Sequence, residues 1–581
     1  MRGIAIAAGL ASIAFHLGLI FSGLIPNLVS RPLHMLLAVP WVMFVPAASR
    51  PARVIGFGLG GAGMAAAAWV AWNEGRLADQ YGYLEGPEQL GIAIVLLLCV
   101  LEMARRAIGW PLPLVAAIAL AYGLLGQWIP GEFGHAGQPL AGFLGTLTIA
   151  EGGLWGSLTG VSVNIVAVFV ILGAVLNAGA AGEGFMNLAT VAAGHLRGGA
   201  AKVSVLASAL FGSISGSASA NVASTGAVTL PAMTRLGYAP RLAGAVEAVA
   251  SSGGQIMPPL MGAGAFVMVE LTGVPYNDIM AAALLPALLY FLTVWIGIDA
   301  YARRDGLRGL AAHERPAWAR VWRSALFFAV PFGVLLFGMF VAEVTPTYAA
   351  SLAILAAAVL LSIDVHLRMV PREIARRVAG AALAAGRQIA MIASIILCAS
   401  IIVGVLGITG LGVKITSVIL ALSQGALAPA LALTALACLV LGMEVPTTAA
   451  YVICVSVAGP ALVELGLEPL QAHLFVFWYA LLSTITPPVC GAVFIAAGMI
   501  GENWLRIAAT AMTLGVGLYL IPPAMIAHPA LIAVTGQPAA AMLAAVRIAI
   551  GLGLISHGLI SRRSPWLRLA LAGTGLATLF V

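Results

Sequence analysis

Two stretches of this chain carry the same helix-breaking residues in the same register. Sliding 212–264 along the chain by 229 residues sets Pro231 on Pro460, Gly237 on Gly466 and Pro240 on Pro469. In the same frame Pro258-Pro259 meet Pro487-Pro488, and Gly262-Ala263 meet Gly491-Ala492. Ala220, Ala232, Leu236, Ala243 and Ile256 also find their like at Ala449, Ala461, Leu465, Ala472 and Ile485. Shared apolar composition accounts for the alanines and leucines, but hardly for a gapless register of Pro and Gly. The chain therefore holds a duplicated unit whose helices are broken at matching places.

The duplication sits in a chain that is 61% hydrophobic and only 8% charged, against about 25% charged in a soluble domain. Apolar runs long enough to cross a bilayer lie at 3–25, 33–48, 53–72, 90–104, 111–128, 161–179, 277–301, 324–342, 346–363, 388–410, 504–524, 541–560 and 566–581. The fold class expected is an all-α integral membrane protein, a polytopic bundle. Arg2 and the apolar start resemble a signal peptide, but the stretch is long and lacks a clear small-residue cleavage site, so it reads as an uncleaved first span. Five cysteines (Cys99, Cys398, Cys438, Cys454, Cys490) lie in apolar stretches without metal-ligand spacing and read as small buried hydrophobes.

The net charge is +7, and of 28 basic residues only Lys202 and Lys414 are lysines. The arginines form no groove-sized patch, which argues against nucleic-acid binding; they sit in short segments between apolar runs and report topology. Basic segments at 302–323 and 364–387 are separated by two spans and read as cytoplasmic. Pro371-Arg-Glu-Ile-Ala-Arg-Arg-Val378 reads as a short amphipathic helix in the interface. Segments 73–89 and 129–141 read as outer loops. A Gly/Pro-rich seam separates a plain block at 1–130 from a linker and interfacial segment at 131–160. A large unit at 161–525 follows, with repeats at about 161–300 and 388–525, and then extra C-terminal helices at 526–581.

Each copy of the repeat has one layout. An apolar segment enters a small polar turn, Gly212-Ser-Ile-Ser-Gly-Ser-Ala-Ser-Ala-Asn221 or Gly442-Met-Glu-Val-Pro-Thr-Thr448, and a second segment leaves it. These segments are too short to span separately, so they read as re-entrant hairpins. A helix interrupted at Ser251-Ser-Gly-Gly-Gln-Ile-Met-Pro-Pro259 or Ser483-Thr-Ile-Thr-Pro-Pro488 follows. Unpaired backbone cannot face lipid, and paired broken helices in two repeats point to a secondary transporter's midplane site. Freed carbonyls and hydroxyls are hard oxygen ligands suited to Na⁺, while helix N-termini suit an anion. Close helix packing would explain Gly216 or Ser219 singly, but not the recurrence of turn and break at a constant offset.

The residues Gly212-Ser-Ile-Ser-Gly-Ser217, Asn221, Pro231, Gly237-Tyr238 and Gly244 through Pro259 closely resemble the large M subunit of TRAP (tripartite ATP-independent periplasmic) transporters. The wording around Ser252 to Pro259 looks most like the TAXI-type branch, whose permeases are often Q–M fusions; the resemblance covers about 140–525, and the Q-like assignment of 1–130 rests on position and span count. It implies inverted repeats and an elevator mechanism in the bacterial inner membrane. Two hairpins and two broken helices would carry a small organic anion with Na⁺, delivered by a periplasmic TAXI-type binding protein. No cofactor is implied. Candidate Na⁺ ligands are Ser213, Ser215, Gly216, Ser217, Asn221 and Gly254, with Glu444, Thr447, Thr448, Thr484 and Thr486 in the second copy. Candidate substrate contacts are Ser217, Ser251, Ser252, Gln255, Pro258, Thr448 and Pro487. Glu444 departs from the symmetry, standing where the first tip has Ser215, and leaves a proton as the alternative coupling ion.

Other intramembrane carboxylates are Glu247, read as capping or pairing with Arg235 or Arg241, and Glu270, read as interfacial. His195, His473 and His528 read as interfacial anchors, and Asn164 and Asn177 as helix–helix contacts. Two rival readings remain. One is a self-sufficient anion carrier of the same broad superfamily that needs no binding protein. The other is a membrane-embedded enzyme, against which stands the absence of a metalloprotease, aspartyl, serine-hydrolase or Mg²⁺-diphosphate motif.

Overall fold

The computed structural model describes residues 2–44, 50–366, 368–369, 371–442, 447–487 and 490–580, with Ser215 described through its backbone only. Every regular element among them is helical, and ten helices are long and apolar enough to cross a membrane. Expected spans at 33–48, 346–363 and 566–581 fall on helices of 17, 15 and 16 residues. The expected span 504–524 is two helices, Trp504–Leu514 and Gly517–Ala527.

The spine is a single 39-residue helix, Pro371–Thr409, about 58 Å long at 1.5 Å per residue and so nearly twice the hydrocarbon thickness. The segment read as a separate interfacial helix at 371–378 is its first two turns. Between Ala379 and Ala385 there is no proline and a single glycine, Gly380, which a helix accommodates at about 1 kcal/mol, so the amphipathic start runs straight into the span.

One side of the spine carries the N-terminal block, Arg2–Phe21, Asn27–Met43, Arg50–Trp72, Gly86–Ile108 and Pro111–Leu125. Met35, Val39, Cys99 and Val100 share a core with Ala390, Ala393, Leu397 and Ile401 of the spine. A buried polar chain ties this block to the rest. His16 bonds the Ser12 carbonyl (2.6 Å) and His34 (2.7 Å), and His34 meets Ser162 Oγ at 3.0 Å. Ser162 opens a one-turn π-helical stretch, Ser162–Val166, inside the span Ser157–Ala178. Replacing His34 by alanine strands His16 and Ser162, at about 1–3 kcal/mol per unsatisfied buried group. The expected outcome is a lower thermal unfolding midpoint of the detergent-solubilised protein.

The duplication is visible element by element. The first hairpin is Gly199–Ser215 and Ala218–Arg235; its counterpart is Leu427–Leu441 and Thr447–Glu464. Thr447 and Glu464 stand 229 residues after Ala218 and Arg235, as Pro469 stands after Pro240. The first broken helix is Pro240–Gly253 and Ala263–Thr272, the second Pro469–Leu481 (extended by a 3₁₀ turn to Thr484) and Gly491–Ile500. Two of the five described non-glycine residues with positive φ also match: Met261 (φ 48°) and Cys490 (φ 27°) are 229 apart. A non-glycine residue in that region is uncommon, so its recurrence is not a composition effect.

The copies pack reciprocally. Ala218–Arg235 lies on Gly491–Ile500, and Thr447–Glu464 lies on Ala263–Thr272. Such an exchange is what a two-fold relation produces. The bases of the hairpins differ in charge. Lys202 and Arg235 at the first pair with Asp299 and Glu314 (3.1 Å each), whereas 423–427 and 464–469 at the second carry Glu464 and Glu468 and no basic residue. By the positive-inside rule the two hairpins enter from opposite sides.

Candidate functional site

The first hairpin turns at Gly216, whose φ of 58° caps the incoming helix in a conformation glycine adopts without steric cost. Ser217 then caps the outgoing helix, its Oγ accepting from the Ala220 amide at 3.3 Å. The turn rests on the first helix break. A Cβ on Gly212 would stand 2.2 Å from Gly254 Cα, and one on Gly254 would stand 2.5 Å from Gly212 Cα. Only a glycine pair allows that approach of backbone to backbone.

Gln255 clamps the two repeats together. Its Nε2 donates to the Gly216 carbonyl (3.2 Å), and its Oε1 accepts from Thr447 Oγ1 (3.1 Å) at the start of the second hairpin's outgoing helix. A second link joins the breaks: Thr484 donates to Ser252 Oγ (2.8 Å), which donates to the Ala248 carbonyl (2.8 Å).

Between these tips and the spine lies a cavity of about 160 Å³. Gly216, Ser217, Gln255, Gly262, Thr447 and Thr448 form its polar wall. Val166, Phe169, Met391, Ile392 and Ile395, from Ser157–Ala178 and the spine, form the opposite wall. Two helices begin at this cavity, at Ala218 and Ala263, and the described part of the second hairpin's outgoing helix starts there at Thr447; the dipole at a helix N-terminus favours negative charge. Among the described residues no basic side chain lines it. Ala220 and Gln388 also line a wider vestibule of about 740 Å³ bordered by Asn177, Glu183, Arg376 and Arg377, so the cavity adjoins an opening on the arginine-bearing side.

The residues read from sequence divide into two groups. Gly216, Ser217, Gln255, Thr447 and Thr448 converge on the cavity. Ser213, Asn221, Ser251, Ser252, Gly254, Pro258, Thr484, Thr486 and Pro487 do not line it. Asn221 is fully buried and donates to the carbonyls of Ser208 (2.9 Å) and Ser251 (3.4 Å), bracing the first tip. Ser213 is bonded to the Leu210 carbonyl, and Thr486 to the Tyr519 hydroxyl at 2.6 Å. Glu444 and Pro488 lie outside the described residues.

Two sequence readings are corrected. Arg235 pairs with Glu314, and Glu247 instead lies fully buried between the limbs of the first hairpin and the broken helix. It accepts from Ser204 (2.8 Å) and Ser251 (3.4 Å) and from Thr225 and Thr229, with no cation in ion-pair contact among the described residues. Its partners come from three helices; of them only Ser251 stands out in the sequence, as a candidate substrate contact, and Ser204, Thr225 and Thr229 have no role there. His473 is not an interfacial anchor either; it is buried and bonded to the Tyr451 hydroxyl at 2.8 Å.

The family profile described as "Tripartite ATP-independent periplasmic transporter, DctM component" matches residues 95–540. The chain belongs to that family. That family is one of transporter permeases rather than enzymes, and ten candidate spans make this member a multi-pass protein of the bacterial inner membrane. The match begins inside Gly86–Ile108 and ends at the start of Pro538–Ile560. A relative, the isethionate TRAP transporter permease protein DctMQ of Oleidesulfovibrio alaskensis, is 25% identical over 276 residues. That alignment covers 47% of this chain and 42% of the relative's length.

Proposed function

We propose that this DctM permease imports a small organic anion of the carboxylate type, driven by Na⁺ and supplied by a periplasmic binding protein of the TAXI type. The observation that carries this reading is the convergence of the helix starts at Ala218 and Ala263, together with Thr447 and Thr448, on one small cavity between the repeats and the spine. At about 160 Å³ the cavity is below the ~300–1,000 Å³ of drug-sized ligand sites, so a cargo of few heavy atoms fits. With no arginine or lysine among the described residues of its wall, the anion's charge would be met by backbone N–H groups and by Ser217, Thr447 and Thr448. The relative's name, which states isethionate, is compatible with a small anionic cargo. The wording Ser251-Ser-Gly-Gly-Gln-Ile favours the TAXI branch. Movement of the hairpins and broken helices against the spine would carry the site across, in the elevator manner.

The test is uptake into proteoliposomes with and without the candidate binding protein, under an imposed Na⁺ gradient. Uptake that needs both upholds the proposal; full uptake without any periplasmic component favours the self-sufficient carrier. Ser215→Ala, Ser217→Ala and Thr486→Ala should each weaken Na⁺ activation while the protein still inserts, and an unchanged Na⁺ dependence in all three would sink the ion-site assignment. One observation favours a second reading of the coupling ion: Glu247 is buried among four hydroxyls with no cation in ion-pair contact among the described residues, as suits a proton-carrying group of the kind membrane transporters use.

A further inference from the structure

The C-terminal helices Pro538–Ile560 and Pro565–Phe580 lie almost wholly beyond the family match, and their packing creates a feature of its own. They pack on Tyr276–Asp305 and on Trp504–Leu514 and Gly517–Ala527, elements of the repeat unit rather than the spine. Between Tyr276–Asp305 and Pro538–Ile560 runs a groove of about 700 Å³. On the first helix it is lined at Leu292, Trp295, Ile296, Asp299 and Arg303, a single face by spacing; on the second it runs from Val546 to His557 and ends at Arg563.

Both walls grade in the same direction, from apolar to charged. The charged ends lie together, since Arg562 Nη2 is 3.7 Å from Asp305 Oδ1. Leu292, Val546 and Ile550 are exposed and give the apolar part an open side. At the charged end Lys202, Arg303 and Arg563 face one carboxylate, Asp299, which already accepts from Lys202 (3.1 Å) and Arg303 (2.7 Å). Lys202 also lies 5.0 Å over the Trp295 ring. Arg563 is exposed and has no acidic partner among the described residues. From Leu292 to Arg303 the groove runs about 16 Å at the helical rise, which is half the ~30 Å hydrocarbon core.

We propose that this groove binds one anionic phospholipid of the cytoplasmic leaflet. Its phosphate would sit among Lys202, Arg303 and Arg563, with an acyl chain along Trp295, Ile296, Ala549 and Gly553. The charge excess selects the headgroup, the length matches one leaflet, and the basic end is on the side that the arginines mark as cytoplasmic. The site does not depend on which anion or coupling ion the permease uses. It gives the extra helices a role, holding a lipid on the flank of the repeat unit.

The test is native mass spectrometry of the full chain released from mild detergent, after incubation with phosphatidylglycerol or with phosphatidylcholine of the same chains. Preferential retention of phosphatidylglycerol is expected. Arg563→Glu should reduce it at least about five-fold, the effect of one basic side chain at an anionic surface. Gly553→Phe should abolish it: a Cβ there meets only Ile296 Cδ1, at 3.5 Å, so the ring must occupy the groove. Should Gly553→Phe fail to insert, Arg563→Glu, on an exposed turn, decides alone. Equal retention of the two lipids, retention unaffected by Arg563→Glu, displacement by inorganic phosphate alone, or a dimer of the chain seated on this face would each overturn the proposal.

Discussion

Gly254→Ala should reduce uptake severely while leaving the protein in the membrane. The added methyl would stand 2.5 Å from Gly212 Cα, 2.8 Å from Asn221 Nδ2 and 3.1 Å from the Ser208 carbonyl. Two of these are backbone atoms, so no side chain can turn away to make room. Relief has to come from the first hairpin lifting off the break, which pulls Gly216 away from Gln255 and loosens the clamp on Thr447. Overpacking of this kind costs about 1–3 kcal/mol, and on a two-state arrangement that is a factor of about 5 to 150 in population. Gly498→Ala is the control, because a Cβ there meets nothing within 4 Å on a helix of the same unit. Initial uptake rates normalised to reconstituted protein measure the effect. Equal rates for Gly254→Ala, Gly498→Ala and the parent chain would show that the tip contact is not needed for transport.

Much of this arrangement was legible in the sequence because the breaking residues report backbone shape directly. Proline and glycine register put both hairpins and both helix breaks where they are found, and the repeat offset survives in helix boundaries and in Met261 and Cys490. The same logic misjudged the spine, since charge at 371–378 marked an interface but could not say that the helix continues. Side-chain partnership was less legible still. Ser251 and Ser252 sit in the motif as Gln255 does, yet one helical turn directs Gln255 to the cavity and the serines into the packing beneath it. His16 and His34 lie in separate apolar runs, and only tertiary packing makes them a pair. The described lining of the cavity carries no charged side chain, and helix N-termini supply partial positive charge there without one.

Glu247 is the position where substitution should separate the two coupling readings. As a carboxylate it accepts from four hydroxyls; protonated, it must itself donate, and at least one hydroxyl has to turn away. The alternative acceptors are in place, for Thr225 lies 2.8 Å from the Asn221 carbonyl and Thr229 lies 3.0 Å from the Thr225 carbonyl. Thr225 and Asn221 stand on the outgoing limb of the first hairpin, and Asn221 braces the tip, so a proton on Glu247 would be felt at the cavity wall. Glu247→Ala should impair both stability and uptake, because four hydroxyls lose a partner and a void opens, at about 1–3 kcal/mol for unsatisfied groups. Glu247→Gln keeps the volume and supplies a permanent donor, and it should fold with a thermal midpoint near that of the parent chain. If a proton on Glu247 drives transport, this variant should lose uptake driven by a pH gradient by an order of magnitude or more, roughly the ~1.4 kcal/mol per tenfold scale of a lost coupling term, yet still exchange internal for external substrate. If Na⁺ alone drives transport, Glu247→Gln should retain Na⁺-driven uptake, and Glu247 is then a structural brace between the hairpin limbs.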